Sequence, residues 1–157
     1  MATKILDRAE AIKVRDRYAG KTIVFTNGCF DILHVGHVRY LAAAKRLGDI
    51  LIVGLNSDAS VRELKGSGRP LNLESERAEV IAALEAVDHV IIFSETRVSH
   101  LLRELRPHLY TKGGDYTLDN LDPEEVGVLK EINARIEILP WVPGKSTSKL
   151  LQTIQQR

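Results

Sequence analysis

The chain has 157 residues, 44% hydrophobic and 27% charged, which suits one globular domain long enough to bury a core without disulfides or metals. Its net charge of +1 leaves no field of one sign for broad nucleic-acid or membrane-surface binding. A single cysteine excludes an internal disulfide framework and suits a reducing, cytoplasmic setting.

The opening residues 1–8 hold no long apolar region, so no signal peptide is expected, and no apolar run approaches the roughly 20 residues of a membrane helix. Ala9, Ile12, Val14 and Tyr18 predict an amphipathic helix over 7–18, a helical extension across residues 1–20 closed by Gly20. Thr22-Ile23-Val24-Phe25 reads as a fully buried strand. It leads into Thr26-Asn27-Gly28-Cys29-Phe30-Asp31-Ile32-Leu33-His34-Val35-Gly36-His37, and a helix continues to Leu47. Ile50–Leu55 is a second buried strand, followed by Asn56-Ser57-Asp58 and a short helix over 59–65. Gly66-Ser67-Gly68-Arg69-Pro70 is a flexible loop by composition, and 74–86 a strong helix with Ser75 as its cap. His89–Phe93 is the third strand, and 97–105 a helix ending before Pro107. Leu109–Lys112 is the fourth strand, closed by Gly113-Gly114-Asp115. Residues 123–133 are helical with Pro123 in the first turn, Arg135–Leu139 is the fifth strand, 140–144 a loop and 146–155 the last helix.

Strands alternating with helices at this spacing predict an α/β domain: five parallel strands, Rossmann-like, covered by helices on both faces. Ligands of such sheets bind beyond the carboxyl ends of the strands. That rule gathers Asn27–His37, Asn56–Asp58, Lys112–Asp115 and Gly144–Ser148 at one rim. No internal repeat, low-complexity tract or linker suggests a second domain, so residues 1–157 read as one.

A glycine-bearing turn that opens a helix is an anion site, because free N–H groups and the positive end of the dipole converge there. His34 and His37 are three apart and share one face of that helix start. A metal set of Cys29, Asp31, His34 and His37 is the weaker reading, since Gly36 and the short turn favour ligand access over a closed cage. Cys29 reads as a small packed residue before it reads as a nucleophile. Gly144-Lys145-Ser146-Thr147-Ser148 is half a P-loop: Leu139 stands where the leading glycine belongs. The three hydroxyls at a helix start serve equally as an N-cap or a phosphate cradle. Lys112 offers a point charge beside two glycines that permit close backbone approach. Arg69, Arg77 and Lys45 are either anion clamps or solvated charges.

The run Gly28-Cys29-Phe30-Asp31-Ile32-Leu33-His34-Val35-Gly36-His37 matches the pattern G-x-F-D-x-x-H-x-G-H, and from about residue 20 onward the chain resembles the cytidylyltransferase-like nucleotidyltransferases. Within them, Thr26–Asp31, Gly68-Arg69-Pro70-Leu71-Asn72 and Lys112-Gly113-Gly114-Asp115-Tyr116 are most similar to the adenylyltransferase half of the bacterial ADP-heptose synthases, here apart from its sugar-kinase partner. Trp141-Val142-Pro143 departs from related cytidylyltransferases, which carry a basic residue there.

The resemblance implies attack of D-glycero-β-D-manno-heptose 1-phosphate on the α-phosphate of ATP, giving ADP-heptose and pyrophosphate for lipopolysaccharide core synthesis. It implies catalytic roles for His34, His37, Lys45 and Lys112. Nucleotide contacts would come from Thr26, Asn27, Gly28, Cys29, Phe30, Gly36, Gly113, Asp115, Ser146, Thr147 and Ser148. Contacts to the acceptor would come from Asp31, Asn56, Asp58, Arg69 and Arg77. Mg²⁺ is expected as a bridge between nucleotide phosphates, with few protein ligands of its own. A homodimer and a separate heptose kinase are the expected partners, with no nucleic acid or membrane. Glycerol-3-phosphate cytidylyltransferase chemistry, FMN adenylyltransferase chemistry and a non-catalytic nucleotide sensor are the alternatives.

Overall fold

A computed structural model describes residues 3–140 and 142–157; Trp141, in the predicted 140–144 loop, and residues 1 and 2 of the opening segment lie outside the described residues. Among the described residues six strands, β1 (Ile5–Leu6), β2 (Ile23–Gly28), β3 (Ile50–Asn56), β4 (His89–Phe93), β5 (Leu109–Lys112) and β6 (Arg135–Ile138), form one sheet. All neighbours pair in parallel, in the order β1-β4-β3-β2-β5-β6. Ile23, Val24, Phe25, Leu51, Ile52 and Val53 have no exposed surface, which is why β2 and β3 read as unbroken apolar runs rather than alternating ones. Burying each such side chain contributes about 1.5–3 kcal/mol.

The eight helices among the described residues are α1 (Arg8–Ile12), α2 (Val14–Arg17), α3 (Val35–Lys45), α4 (Asp58–Lys65), α5 (Glu74–Ala82), α6 (Ser99–Leu105), α7 (Pro123–Glu131) and α8 (Thr147–Gln155). Leu41 and Ala44 of α3 and Ala78 and Ile81 of α5 pack with Val24, Leu51 and Val53 on one side of the sheet. Ala11, Val14, Leu101, Leu102, Val128 and Leu129 cover Ile23, Phe25, Ile52 and Tyr110 on the other. The crossovers leaving β2 and β5 therefore go to opposite faces. Without β1, the remaining strands follow the doubly wound order 3-2-1-4-5, and the reversal falls between β2 and β5. No helix of the described residues is long and apolar enough to cross a membrane.

The five predicted strands are all present, and the sheet gains a sixth. Ile5–Leu6 adds alongside Val90 and Ile91, so the opening segment is more than a helical extension. A two-residue strand is too short to show a period, which is why sequence alone missed it. The helix expected over 7–18 divides at Lys13, whose N–H turns back to the Glu10 carbonyl three residues earlier. Asp7 and Glu10 close a reciprocal cap at the start of α1. The expected cap at Ser75 moves to Leu73, where the Glu76 carboxylate accepts the Leu73 N–H.

Candidate active site

Beyond Gly28 the chain turns sharply, with Phe30 at φ +46°, and α3 starts with His34 as its N-cap. The two histidines cap the helix reciprocally. The Gly36 N–H donates to His34 Nδ1 at 3.1 Å, and the His34 N–H donates to His37 Nδ1 at 3.3 Å. The rings stack with centroids 3.9 Å apart. With both Nδ1 atoms accepting, each neutral ring carries its proton on Nε2. Burial, then the neighbouring His34 and Lys65, pushes His37 down to about 4, and burial followed by Lys145 lowers His34. Both imidazoles are thus neutral hydrogen-bond donors at neutral pH. Gly36 is required by close packing: a Cβ there would lie 2.8 Å from the His34 ring.

The turn opens into a cavity of about 840 Å³ at the reversal between β2 and β5. Of the expected residues, Asn27, Gly28, Cys29, Phe30, His34, Gly36, His37, Asn56, Lys112, Gly113, Asp115, Ser146, Thr147 and Ser148 line it. Lys112 donates to the Asn27 carbonyl at 3.5 Å, and its ammonium lies 4.7 Å from the centre of the Tyr116 ring. A Cβ on Gly113 would strike the Tyr40 ring at 2.7 Å, so this glycine admits Tyr40 to the cavity wall. Ser146 caps α8 by accepting the Lys149 N–H at 3.1 Å, and Thr147 ties α8 to the turn by donating to the Ile32 carbonyl at 3.2 Å. The α8 start therefore offers main-chain N–H groups and the Ser148 hydroxyl, with Ser146 and Thr147 engaged in structure. Burial pushes the Cys29 thiol up, the wrong direction for a nucleophile.

Six expected site residues are placed elsewhere. Lys45 stands eight residues beyond His37, about 12 Å along α3, and pairs with Asp88 at 2.6 Å. Thr26 is fully buried, with its hydroxyl bonded to the Tyr40 hydroxyl at 2.7 Å and the Thr111 carbonyl at 3.0 Å. Asp31, Asp58, Arg69 and Arg77 bond to one another and to main chain instead of facing a ligand. Asp31 accepts from Arg69 Nε at 2.7 Å and from the Asn72 N–H at 2.9 Å. Burial alone would raise its pKa, but the Asn72 and Leu71 N–H groups and Arg69 hold the carboxyl below its usual range. Arg77 is 2% exposed and donates to the carbonyls of Cys29, Asn56 and Asn72 and to Asp58 at 2.8 Å. Since Asp31 is engaged, the set Cys29, Asp31, His34 and His37 makes no metal cage. Among the described residues no group of three His, Cys, Asp or Glu side chains is placed to hold a metal.

The cavity also takes Tyr40, Lys65 and Glu125, which the sequence did not single out, and Tyr116 and Lys145, which it offered only as members of motifs with no role of their own. Lys145 carried a signal, as the lysine of the half P-loop; Glu125 carried none.

A family model described as cytidylyltransferase-like matches residues 25–152. The "Bifunctional protein HldE" of Geotalea uraniireducens is 49% identical over 97% of this chain and 31% of its own length. The protein of that name from Campylobacter fetus subsp. fetus is also 49% identical, with the same coverage. The chain thus spans about a third of these relatives. The lipopolysaccharide core biosynthesis protein of Thermoplasma volcanium superposes with a TM-score of 0.64 at 30% identity, covering 78% of this chain and 98% of that one. A pantoate-beta-alanine ligase from Francisella tularensis, 17% identical with a TM-score of 0.62 over 94% of this chain and 69% of its own, shares the fold. The chain belongs to the cytidylyltransferase-like family and is a nucleotidyltransferase.

Proposed function

We propose that the protein transfers AMP from ATP to D-glycero-β-D-manno-heptose 1-phosphate, releasing pyrophosphate and forming ADP-heptose for lipopolysaccharide core synthesis in the cytoplasm. The observation that carries nucleotidyl transfer is the pair of neutral imidazoles, each with an Nε2–H free of its capping role, where two helix starts meet the sheet reversal. The choice of acceptor rests on the near-half identity to proteins named HldE and on the likeness to a lipopolysaccharide core biosynthesis protein.

In this reading an acceptor phosphate oxygen attacks the α-phosphorus, and the bond to the bridging oxygen of the β-phosphate breaks. Pyrophosphate leaves with that electron pair. Such a displacement needs alignment and charge neutralisation, not a protein nucleophile. His34 and His37 donate Nε2–H to oxygens that gain charge; one such donor is worth about 3–4 kcal/mol. Lys112 neutralises acceptor or α-phosphate charge, while Lys145 and the first N–H groups of α8 hold the departing pyrophosphate. Asn27 to Phe30 and Gly36 shape the turn around the α-phosphate, with Gly113 and Asp115 completing the opposite wall. Mg²⁺ would come with the nucleotide substrate and neutralise phosphate charge there. A sugar kinase supplying the 1-phosphate and a second copy of the chain are the partners this function implies.

The test is a pyrophosphate-release panel of ATP and CTP against heptose 1-phosphate, glycerol 3-phosphate and FMN. Turnover by ATP with the heptose phosphate alone is expected. Preferred turnover of another pair reassigns the acceptor, and nucleotide binding without release by any pair makes the protein a sensor.

A further inference from the structure

Glu125, in the first turn of α7, is 9% exposed and faces the cavity. An ionised carboxylate has room for about four hydrogen bonds. Glu125 receives one long one, from the Val98 N–H at 3.4 Å; the Tyr110 oxygen also lies 3.4 Å away, but its single hydrogen goes to a nearer acceptor. Lys112 feels its charge: burial lowers the ammonium pKa and Glu125 opposes that drop, although the two form no ion pair among the described residues. A buried carboxylate this thinly bonded gains from any donor a ligand brings. A phosphate brings none and is repelled; a hydroxyl brings one.

Tyr110 links this carboxylate to a second group. Its hydroxyl donates to Asn27 Oδ1 at 2.8 Å, and burial keeps the phenol protonated by raising its pKa well above 10. With the amide oxygen held by Tyr110, the Nδ2 hydrogens of Asn27, a residue of the cavity lining, have no partner among the described residues and are available as donors. An acceptor at Glu125 beside a donor at Asn27 suits hydroxyl groups, which both give and receive. The helix-start side of the cavity, where His34, His37 and Lys145 lie, suits phosphates, and the Glu125 corner suits the uncharged part of a substrate.

We propose that Glu125 and Asn27 recognise hydroxyl groups of the acceptor sugar, with Tyr110 as the positioning residue for Asn27. The assignment rests on nucleotidyl transfer to a sugar 1-phosphate. Steady-state pyrophosphate release tests it, with acceptor and ATP varied separately and folding checked by thermal melting. Glu125→Gln, the same shape without the charge, is expected to raise the acceptor KM about tenfold or more and leave the ATP KM within about twofold. It also narrows the preference for the full sugar over analogues lacking one hydroxyl. Tyr110→Phe is expected to raise the acceptor KM about threefold at nearly unchanged kcat, and it supplies the answer if Glu125→Gln does not fold. An unchanged acceptor KM, or a rise confined to ATP, overturns the assignment while transfer stands. A wild type that turns over no sugar 1-phosphate removes both.

Discussion

Two polar groupings lie side by side at the end of β2, and they differ in what their hydrogen-bonding atoms are doing. Asp31, Arg69, Arg77 and Asp58 bind one another and nearby main chain, fastening the Gly66–Pro70 loop and the start of α5 to the turn. His34 and His37 use one nitrogen each for a helix cap and keep the other. Both groupings combine polar residues with glycine-rich loops, and in sequence they look equally functional. Free capacity facing a cavity, not charge, separates a site from a brace.

Removing Arg77 should produce the largest effect. Arg77→Ala leaves three carbonyls and Asp58 without their donor, and breaking such a buried pair costs about 3–5 kcal/mol. The urea midpoint measures it; a midpoint within error of wild type would mean that Arg77 is no brace. On the other side, His37→Ala is expected to lower turnover about 10²-fold or more with a melting temperature only a few degrees lower, as one cap is lost. Near-normal pyrophosphate release in that variant defeats the role given to the imidazoles.

The pH dependence is a smaller effect. His37 resists protonation down to about 4, whereas an unfolded histidine takes up its proton near 6.5. The unfolded chain then binds more protons than the folded one, so stability is level above about pH 6.5 and falls as pH drops toward 4. His34, His89 and His108 shift in the same direction, so His37→Gln should shallow the fall rather than abolish it. Urea titrations between these limits decide; an unaltered slope in the variant contradicts the burial that keeps His37 neutral. Smallest is Lys45→Met. Its partly exposed pair with Asp88 is worth about 0–1 kcal/mol, and turnover should stay within about twofold, since Lys45 is far from the cavity. A tenfold loss would return Lys45 to the site.

The strands were legible because burial on both faces leaves unbroken apolar runs, as in Ile50–Leu55. The rim was legible for a related reason: glycine and polar residues follow each strand, and topology puts all those ends on one side. Which polar residues face inward was not. Asp31 meets Asn72, and Arg77 meets Cys29, across 41 and 48 positions, distances that no local pattern encodes. Glu125 was invisible for the converse reason. In sequence it is one of two adjacent glutamates in a helix start, and only the fold brings α7 against Tyr110. Thr26 shows the same limit within a correctly placed motif, since strand alternation turned its side chain to Tyr40 and Thr111.

The reciprocal histidine cap also bears on how the site withstands mutation. In many enzymes a carboxylate holds a histidine in its working tautomer, and a single substitution removes that carboxylate. Here the N–H groups of His34 and Gly36 do the holding, and these belong to the main chain. Every residue except proline carries that N–H, so no change of neighbouring side chain deletes the partner. The inheritance of the correct tautomer is therefore shifted onto shape: it depends on Gly36 staying small enough for the ring of His34 to fold back over it.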